Sequence, residues 1–148
     1  VYNDRLWWLL SGRTACHGIR QPDSLKEIGV ASGRIDGFAS LTTTEQGGWI
    51  RTRPFLWPGG ELDINADTRR SMTMDPRFVS GEIRVEVLDE NGAVIPGLSR
   101  DACQPFRRDK GLHTMTWTDK NMASLAGRTI ALVFVMHEAH LYGFENSA

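Results

Sequence analysis

The sequence predicts an all-β fold, an antiparallel β-sandwich of the jelly-roll type. Three observations predict it. Short segments show alternating or continuous hydrophobicity, the 15 glycines suit many tight turns, and long stretches with a helical period are absent. Roughly eight to ten short strands follow one another at a spacing of about eight to twelve residues, which is typical of sandwiches and barrels.

The first part of the chain, 1–45, holds two predicted strands. Arg5–Ser11 is a short apolar run and is expected to form a buried strand, and Glu27–Arg34 forms the second. The mixed polarity of Thr14–Lys26 predicts a loop between them. We expect this region to pack on the sandwich or to derive from a neighbouring domain, and residues 46–148 to form the sandwich itself.

Two segments of the sandwich have clear patterns. Gly81–Leu88 alternates apolar with charged residues, which predicts a half-solvated antiparallel strand. The following Asn91-Gly92 favours a type I′ hairpin turn. Arg128–Met136 is apolar on both faces, as a central strand would be.

Less regular segments complete the predicted sandwich. Pro54 makes the segment that contains it an edge strand or a bulged one. Short helical turns are expected after Ser99 and within Asp119–Gly127. The strands predicted in these segments are Gly48–Trp57, Glu61–Ala66, Gly111–Trp117 and Ala139–Glu145.

The overall composition narrows the classes of function. The chain has 17 basic against 18 acidic residues, so the basic excess of a nucleic-acid binder is missing. No apolar stretch is long enough to predict a membrane span, and the start does not resemble a signal peptide. The compartment, cytoplasmic or secreted, stays open. Cys16 and Cys103 allow one disulfide and lack the spacing of a metal site.

The sequence predicts no catalytic residue. Its carboxylates fall mainly in turns or on solvent-facing strand positions, and there is no Gly-x-Ser-x-Gly motif or phosphate-binding glycine loop. The four histidines lack the paired spacing of zinc ligands. A small enzyme in its own right therefore remains the third alternative, behind a binding module and a structural domain.

Five residues are candidates for binding a sugar. Trp49 and Trp57 border glycine-rich turns, while Arg107, Arg108 and His113 flank a loop. Sugar binding uses exposed aromatic rings for the CH groups and charged or amide side chains for the hydroxyls. The alternative is that these aromatic residues close the ends of the sandwich.

A structural calcium ion is the one cofactor that the sequence allows. Asp63, Asn65 and Asp67 alternate along one side of a strand end, and Ca²⁺ prefers carboxylate and amide oxygens. The alternative interpretation is an ordinary polar outer face.

Seven motifs follow one another in an order that resembles a known family. They are Asp36–Leu41, Thr52–Pro54, Leu62–Ala66, Gly81–Asp89, Ile95–Gly97, Leu125–Gly127 and Ala139–Phe144. This order resembles the C-terminal β-sandwich of large bacterial proteins that carry a preceding five-bladed propeller of the fructanase and arabinanase type. The resemblance covers nearly the whole chain.

The resemblance implies an accessory role for this domain. In that family the catalytic carboxylates lie in the propeller, and Arg5–Arg13 and Ile28–Ala31 resemble the closing strands of its last blade. The expected partners are a polysaccharide or oligosaccharide and the N-terminal propeller of the same protein. The alternative is a structural domain for interdomain packing or oligomer contact, without a sugar site.

Overall fold

The computed structural model describes residues 1–3, 5–14, 26–69 and 81–147. The chain divides into two compact units, Val1–Gly37 and Phe38–Ala148. This boundary precedes the predicted one at residue 45, because the start of the second unit is hydrogen-bonded to its last strands. The Thr43 N–H, for example, donates to the Ala139 carbonyl at 2.9 Å. Most of the loop predicted at 14–26 lies outside the described residues, and so do residues 70–80.

The all-β prediction is confirmed. The described part of the chain contains a single four-residue 3-10 helix, Met122–Leu125, and no helix that is long and apolar enough to cross a membrane. Its strands are β1 (Arg5–Arg13), β2 (Lys26–Arg34), β3 (Leu41–Thr42), β4 (Gly48–Arg51), β5 (Phe55–Leu56), β6 (Glu61–Asp67), β7 (Glu82–Leu88), β8 (Asp109–Thr114), β9 (Thr129–His137) and β10 (His140–Ser147).

The first unit is an antiparallel hairpin. Strands β1 and β2 pair without a register shift, from Arg5 opposite Arg34 to Arg13 opposite Lys26. Both predicted strands are confirmed, but the prediction that the first one is buried is wrong: apart from Leu6, its residues are exposed. A two-stranded ribbon has no second layer within its own unit to cover either face.

The second unit is a sandwich of two antiparallel sheets. One sheet has the order β3-β10-β6-β8. In the other, β7 pairs with β9, and β4 and β5 pair with β9 in succession. The segment around Phe106 adds a fourth strand beside β7, since Phe106 and Ile83 exchange both backbone hydrogen bonds. With β4 and β5 counted as one interrupted strand, this is the strand order of a jelly roll.

The core lies between the two sheets. Strand β7 alternates as predicted, with Ile83, Val85 and Val87 fully buried and the charged residues between them partly exposed. Strand β9 is the central strand that its continuous apolar pattern predicts. The indole N–H of Trp117 donates to the Val85 carbonyl at 3.1 Å, so even the polar atom of this core ring is satisfied.

The turn after β7 differs from the predicted type I′ turn. Gly92 has a φ of +82°, whereas Asn91 is outside the left-handed region. The Gly92 N–H donates to the Asp89 carbonyl at 3.0 Å, and the Asp89 side chain accepts from the Asn91 and Ala93 N–H groups. The turn is therefore a type I turn followed by a left-handed glycine, the usual three-residue hairpin loop.

The two short helical turns are present where the sequence predicts them. The Ser99 hydroxyl accepts from the Ala102 N–H at 3.3 Å. Asn121 caps the 3-10 helix by accepting from the Ser124 N–H.

Cys103 is a free, buried thiol. Its sulfur accepts a hydrogen bond from the Val85 N–H at 3.3 Å, and burial raises the pKa of the thiol to about 11. Cys16, the other cysteine of the sequence, lies outside the described residues.

Candidate functional site

The two tryptophans predicted to bind sugar have opposite environments. Trp49 is 69% exposed on the outer face of β4. Trp57 is only 1% exposed, and its indole N–H donates to the Gly60 carbonyl at 3.3 Å. Its ring also meets Phe55 edge-on, with centroids 6.2 Å apart. The structure therefore corrects the assignment of Trp57 to a ligand surface, because the ring is part of the core.

The side chains of Arg107 and His113, two of the other residues predicted to bind sugar, point in different directions. Arg107 follows the strand segment at Phe106 and reaches Glu82 of the neighbouring strand β7, with Nη2 2.6 Å and Nε 3.1 Å from the carboxylate. His113 lies opposite the buried Ile64, and its ring packs 5.0 Å from that of Phe106. Residues directly opposite each other point to the same side of a sheet, so His113 faces inward. Burial lowers its pKa, and the positive charges of Arg108 and Lys110 lower it further.

Glu82 forms ion pairs with two arginines, Arg107 and Arg84. Arg84 Nε donates to the other oxygen of Glu82 at 3.0 Å. Burial alone raises the pKa of Glu82, but the hydrogen bonds from Arg107 and Arg84 outweigh it, so the pKa lies below its ordinary value of 4.5. The side chain of Arg107 therefore has a structural partner in this sandwich.

Replacing Arg107 by alanine is expected to raise the pKa of Glu82. A carboxylate with a lowered pKa in the folded state adds stability above its unfolded-state pKa and loses it as the pH falls through the folded-state value. The difference in urea midpoint between wild type and Arg107→Ala should therefore shrink on acidification. Arg100→Ala is the control, since Arg100 and Asp101 are exposed and 3.9 Å apart. A pH-independent difference would contradict this.

The calcium candidates lie on the outer face of the sheet β3-β10-β6-β8. Strand β6 turns Leu62, Ile64 and Ala66 inward, and by alternation Asp63 and Asn65 point outward with Asp67. The shared face is as predicted. Asp63 is nevertheless only 8% and Asn65 only 6% exposed. This burial is unusual for an outward-facing polar pair.

Strands β8 and β10 supply the neighbours of these residues. The register places Thr114 and Glu145 beside Asp63, and Gly143 beside Asn65. Asp67 lies between His140 and Asp109. We call this surface the polar face; its residues are Asp63, Asn65, Asp67, Arg69, Asp109, Thr114, His140, Tyr142 and Glu145.

Arg69 links two strands at one end of the polar face. Its Nε and Nη2 lie 3.1 and 3.0 Å from the two carboxylate oxygens of Asp67, and Nη2 also donates to Asp109. The hydrogen bond with Asp67 raises the pKa of the guanidinium. Both oxygens of Asp67 are thus used by Arg69. Among the described residues, no group of three or more His, Cys, Asp or Glu is arranged to hold a metal ion, and the calcium site stays a prediction.

Asp63 presents an unsatisfied acceptor at the centre of the polar face. Its Oδ1 atom is buried and lacks a hydrogen-bond partner within the described residues. Buried polar atoms nearly always have a partner, and an unpaired one costs about 1–3 kcal/mol. A donor from outside the described chain would satisfy it.

Two aromatic rings border the polar face on β10. His140 and Tyr142 lie nearly parallel, with centroids 6.3 Å apart and an interplanar angle of 18°. His140 Nδ1 is 3.0 Å from the Thr42 hydroxyl, which orients the imidazole. The pairing register between β10 and β6 shifts between Leu141 and Gly143, where β10 has a bulge. The side chains before and after the bulge therefore do not follow one continuous alternation between the two faces.

Sequence reasoning missed this part of the site. Strict alternation groups His140, Tyr142 and Phe144 on one side, but after the bulge Phe144 packs against Phe134, with centroids 5.2 Å apart. The bulge could have been expected from Gly143, since a glycine inside a strand often marks a bulge.

Comparison with known proteins adds no relative. No protein-family model matches the chain, and neither the curated proteins nor the solved structures contain a match. The class that the fold defines is an antiparallel, jelly-roll β-sandwich, and the polar face is its candidate site.

Proposed function

We propose that this chain is a non-catalytic accessory β-sandwich that binds carbohydrate at the polar face. The observation that carries the proposal is the buried, unpartnered Oδ1 atom of Asp63 in an outward-facing position. A sugar hydroxyl can donate the hydrogen bond that this acceptor lacks. Hydrogen bonds to a charged acceptor contribute about 1.5–3 kcal/mol each.

The surroundings of Asp63 supply the other contacts that sugars use. Tyr142 and His140 offer aromatic surface for CH groups, and Thr114 and Glu145 flank the acceptor with further polar atoms. These groups stand on adjacent strands of one sheet, so the scaffold holds them in fixed positions before a ligand arrives.

The family resemblance supports an accessory role and suggests the context. In this proposal the chain serves a glycoside hydrolase whose catalytic groups lie in a propeller domain, and the sandwich holds the enzyme near its polysaccharide. Trp49 and the residues Arg107, Arg108 and His113 are outside the proposed site.

Glycan binding by the full chain tests the proposal. We expect binding on a glycan array, confirmed by affinity gel electrophoresis, and a loss of at least about tenfold in affinity for Asp63→Ala, equivalent to about 1.4 kcal/mol. Tyr142→Ala should also weaken binding. Trp49→Ala is the matched control on the opposite sheet and should bind as wild type does. The proposal fails if folded wild type binds no glycan, or if Trp49→Ala abolishes binding while Asp63→Ala retains it.

A structural or oligomerisation domain is the second candidate. The observation that favours it is the hairpin, where the register places Trp7 and Leu9 on the same face as Val30 and Ile28. These side chains are between 49% and 82% exposed. Contiguous exposed apolar surface of this kind is typical of contact surfaces between proteins.

Sedimentation velocity over a range of concentrations tests the second candidate. Self-association of the full chain, abolished by Leu9→Lys with Ile28→Lys, would support it. Leu56→Lys is the control, because Leu56 is 65% exposed on the sandwich unit. A wild-type chain that stays monomeric at every concentration would count against oligomerisation.

A further inference from the structure

The polar face has an excess of negative charge. Its described residues include four carboxylates, Asp63, Asp67, Asp109 and Glu145, and one guanidinium, Arg69. Arg69 is already bound to Asp67 and Asp109. The charges of Asp63 and Glu145, which lie opposite each other on β6 and β10, have no ion-pair partner within the described chain.

The other basic groups around Asp63 do not compensate this charge. His113 is close enough to Asp63 to interact with it electrostatically, but it faces the inner side of the sheet, and burial favours its neutral form. His140 lies beside Asp67 and binds Thr42 through Nδ1. A ligand that reaches Asp63 therefore meets acceptors and negative charge.

This environment selects among sugars by charge. A carboxylate in a partly desolvated site repels an anion more strongly than it would in water, because the effective dielectric constant is lower there. A carboxylate or sulfate placed against Asp63 would also leave its Oδ1 atom without a donor, because these ionised groups only accept hydrogen bonds. A hydroxyl or ammonium group meets both requirements of the site, since each donates and neither carries negative charge.

We propose that the polar face selects saccharides without acidic groups, both neutral and amino sugars, and rejects uronic acids and sulfated sugars. The inference rests on the proposed carbohydrate-binding function and goes further by naming the ligand class. Asp63 sets the selection, and Glu145 reinforces it from the adjacent strand.

The experiment compares the full chain with variants that replace carboxylates by amides, on glycans that share a backbone type and carry neutral, cationic or anionic groups. Hydroxyethylcellulose, chitosan and carboxymethylcellulose share one type of backbone, and the array adds further neutral, amino and acidic glycans. Wild type should bind the acidic member of a matched set at least about tenfold more weakly than the neutral member. The double variant Asp63→Asn with Glu145→Gln should bring the two within about threefold. Glu90→Gln, in an exposed turn, is the control and should keep the wild-type ratio.

Three outcomes are distinguishable. Selection against acidic glycans that the double variant removes supports the inference. Equal or tighter binding of acidic glycans, still lost in Asp63→Ala, overturns the charge selection and leaves the carbohydrate site in place. Absence of binding to every glycan overturns both proposals. Urea unfolding of each variant shows whether a loss of binding comes from a loss of folded protein.

Discussion

Replacement of Trp57 by alanine is expected to lower the free energy of unfolding by about 3–5 kcal/mol. The indole is 1% exposed, and its loss would leave a cavity beside Phe55 and a Gly60 carbonyl without its donor. Backbone contacts hold this position, since the Trp57 N–H donates to the Arg128 carbonyl at 2.9 Å. The surroundings can therefore relax only in part.

Trp49→Ala provides the matched comparison. Trp49 lies eight residues before Trp57 and is 69% exposed. Its replacement should therefore change the free energy of unfolding by about 0.5 kcal/mol or less. Urea unfolding followed by circular dichroism measures both variants without relying on tryptophan fluorescence. Equal losses for the two variants would show that the environments assigned to these rings are incorrect.

Gly81→Ala is the second change with a large expected effect. A Cβ atom at this position would lie 2.6 Å from the His137 carbonyl oxygen and closer still to that of Glu138. These oxygens belong to the last residue of β9 and to the tight turn that follows it, where Glu138 has a φ of +42°. Both of these atoms belong to the backbone and cannot rotate out of the way as a side chain could. We therefore expect overpacking to lower the free energy of unfolding by about 1–3 kcal/mol.

Gly111→Ala serves as its control. Apart from Gly111 itself and its two chain neighbours, no atom of the described residues lies within 4 Å of the position that a Cβ would take at Gly111. Added bulk there meets open space, so the variant should stay within about 0.5 kcal/mol of wild type, as surface substitutions usually do. The comparison uses urea midpoints of the two variants at one pH. If Gly81→Ala unfolds at the same midpoint as Gly111→Ala, the close approach of β7 to the β9–β10 turn is not as described.

The fold class follows from local patterns that the sequence displays. Alternation in Glu82–Leu88 and the continuous apolar run in Thr129–His137 identify a half-solvated strand and a central strand, because side chains in a strand point to alternate faces. The exposure of the hairpin was not predictable in this way. An apolar run indicates a strand, but it does not show whether a second layer covers it.

The different positions of Trp49 and Trp57 show where alternation stops being informative. Eight residues apart, they would share a face in an unbroken strand. Strand β4 pairs Arg51 with Val133, whereas β5 pairs Phe55 with Ile130, so the register shifts by one residue around Pro54. A shift of one residue moves every later side chain to the other face. The sequence predicted the interruption at Pro54 but not its consequence for Trp57.

The candidate site was predictable only along one strand. Asp63, Asn65 and Asp67 share a face because they alternate within β6. Their neighbours His140 and Tyr142 come from a strand more than seventy residues later, and their position depends on strand pairing and on a bulge. The burial of Asp63 and Asn65 depends in the same way on β8 and β10, which flank β6 on its two sides.

In the proposed site, the unpaired oxygen of Asp63 would also couple ligand binding to folding. Strand β6 is internal to its sheet, so the acceptor exists in its buried setting only while the sandwich is intact. A molecule that binds the native state alone stabilises it by about 2.7 kcal/mol at a concentration one hundred times its Kd. Thermal melting of the unlabelled chain therefore tests the proposed site directly, since a compound that binds there should raise the melting temperature of wild type but not of Asp63→Ala.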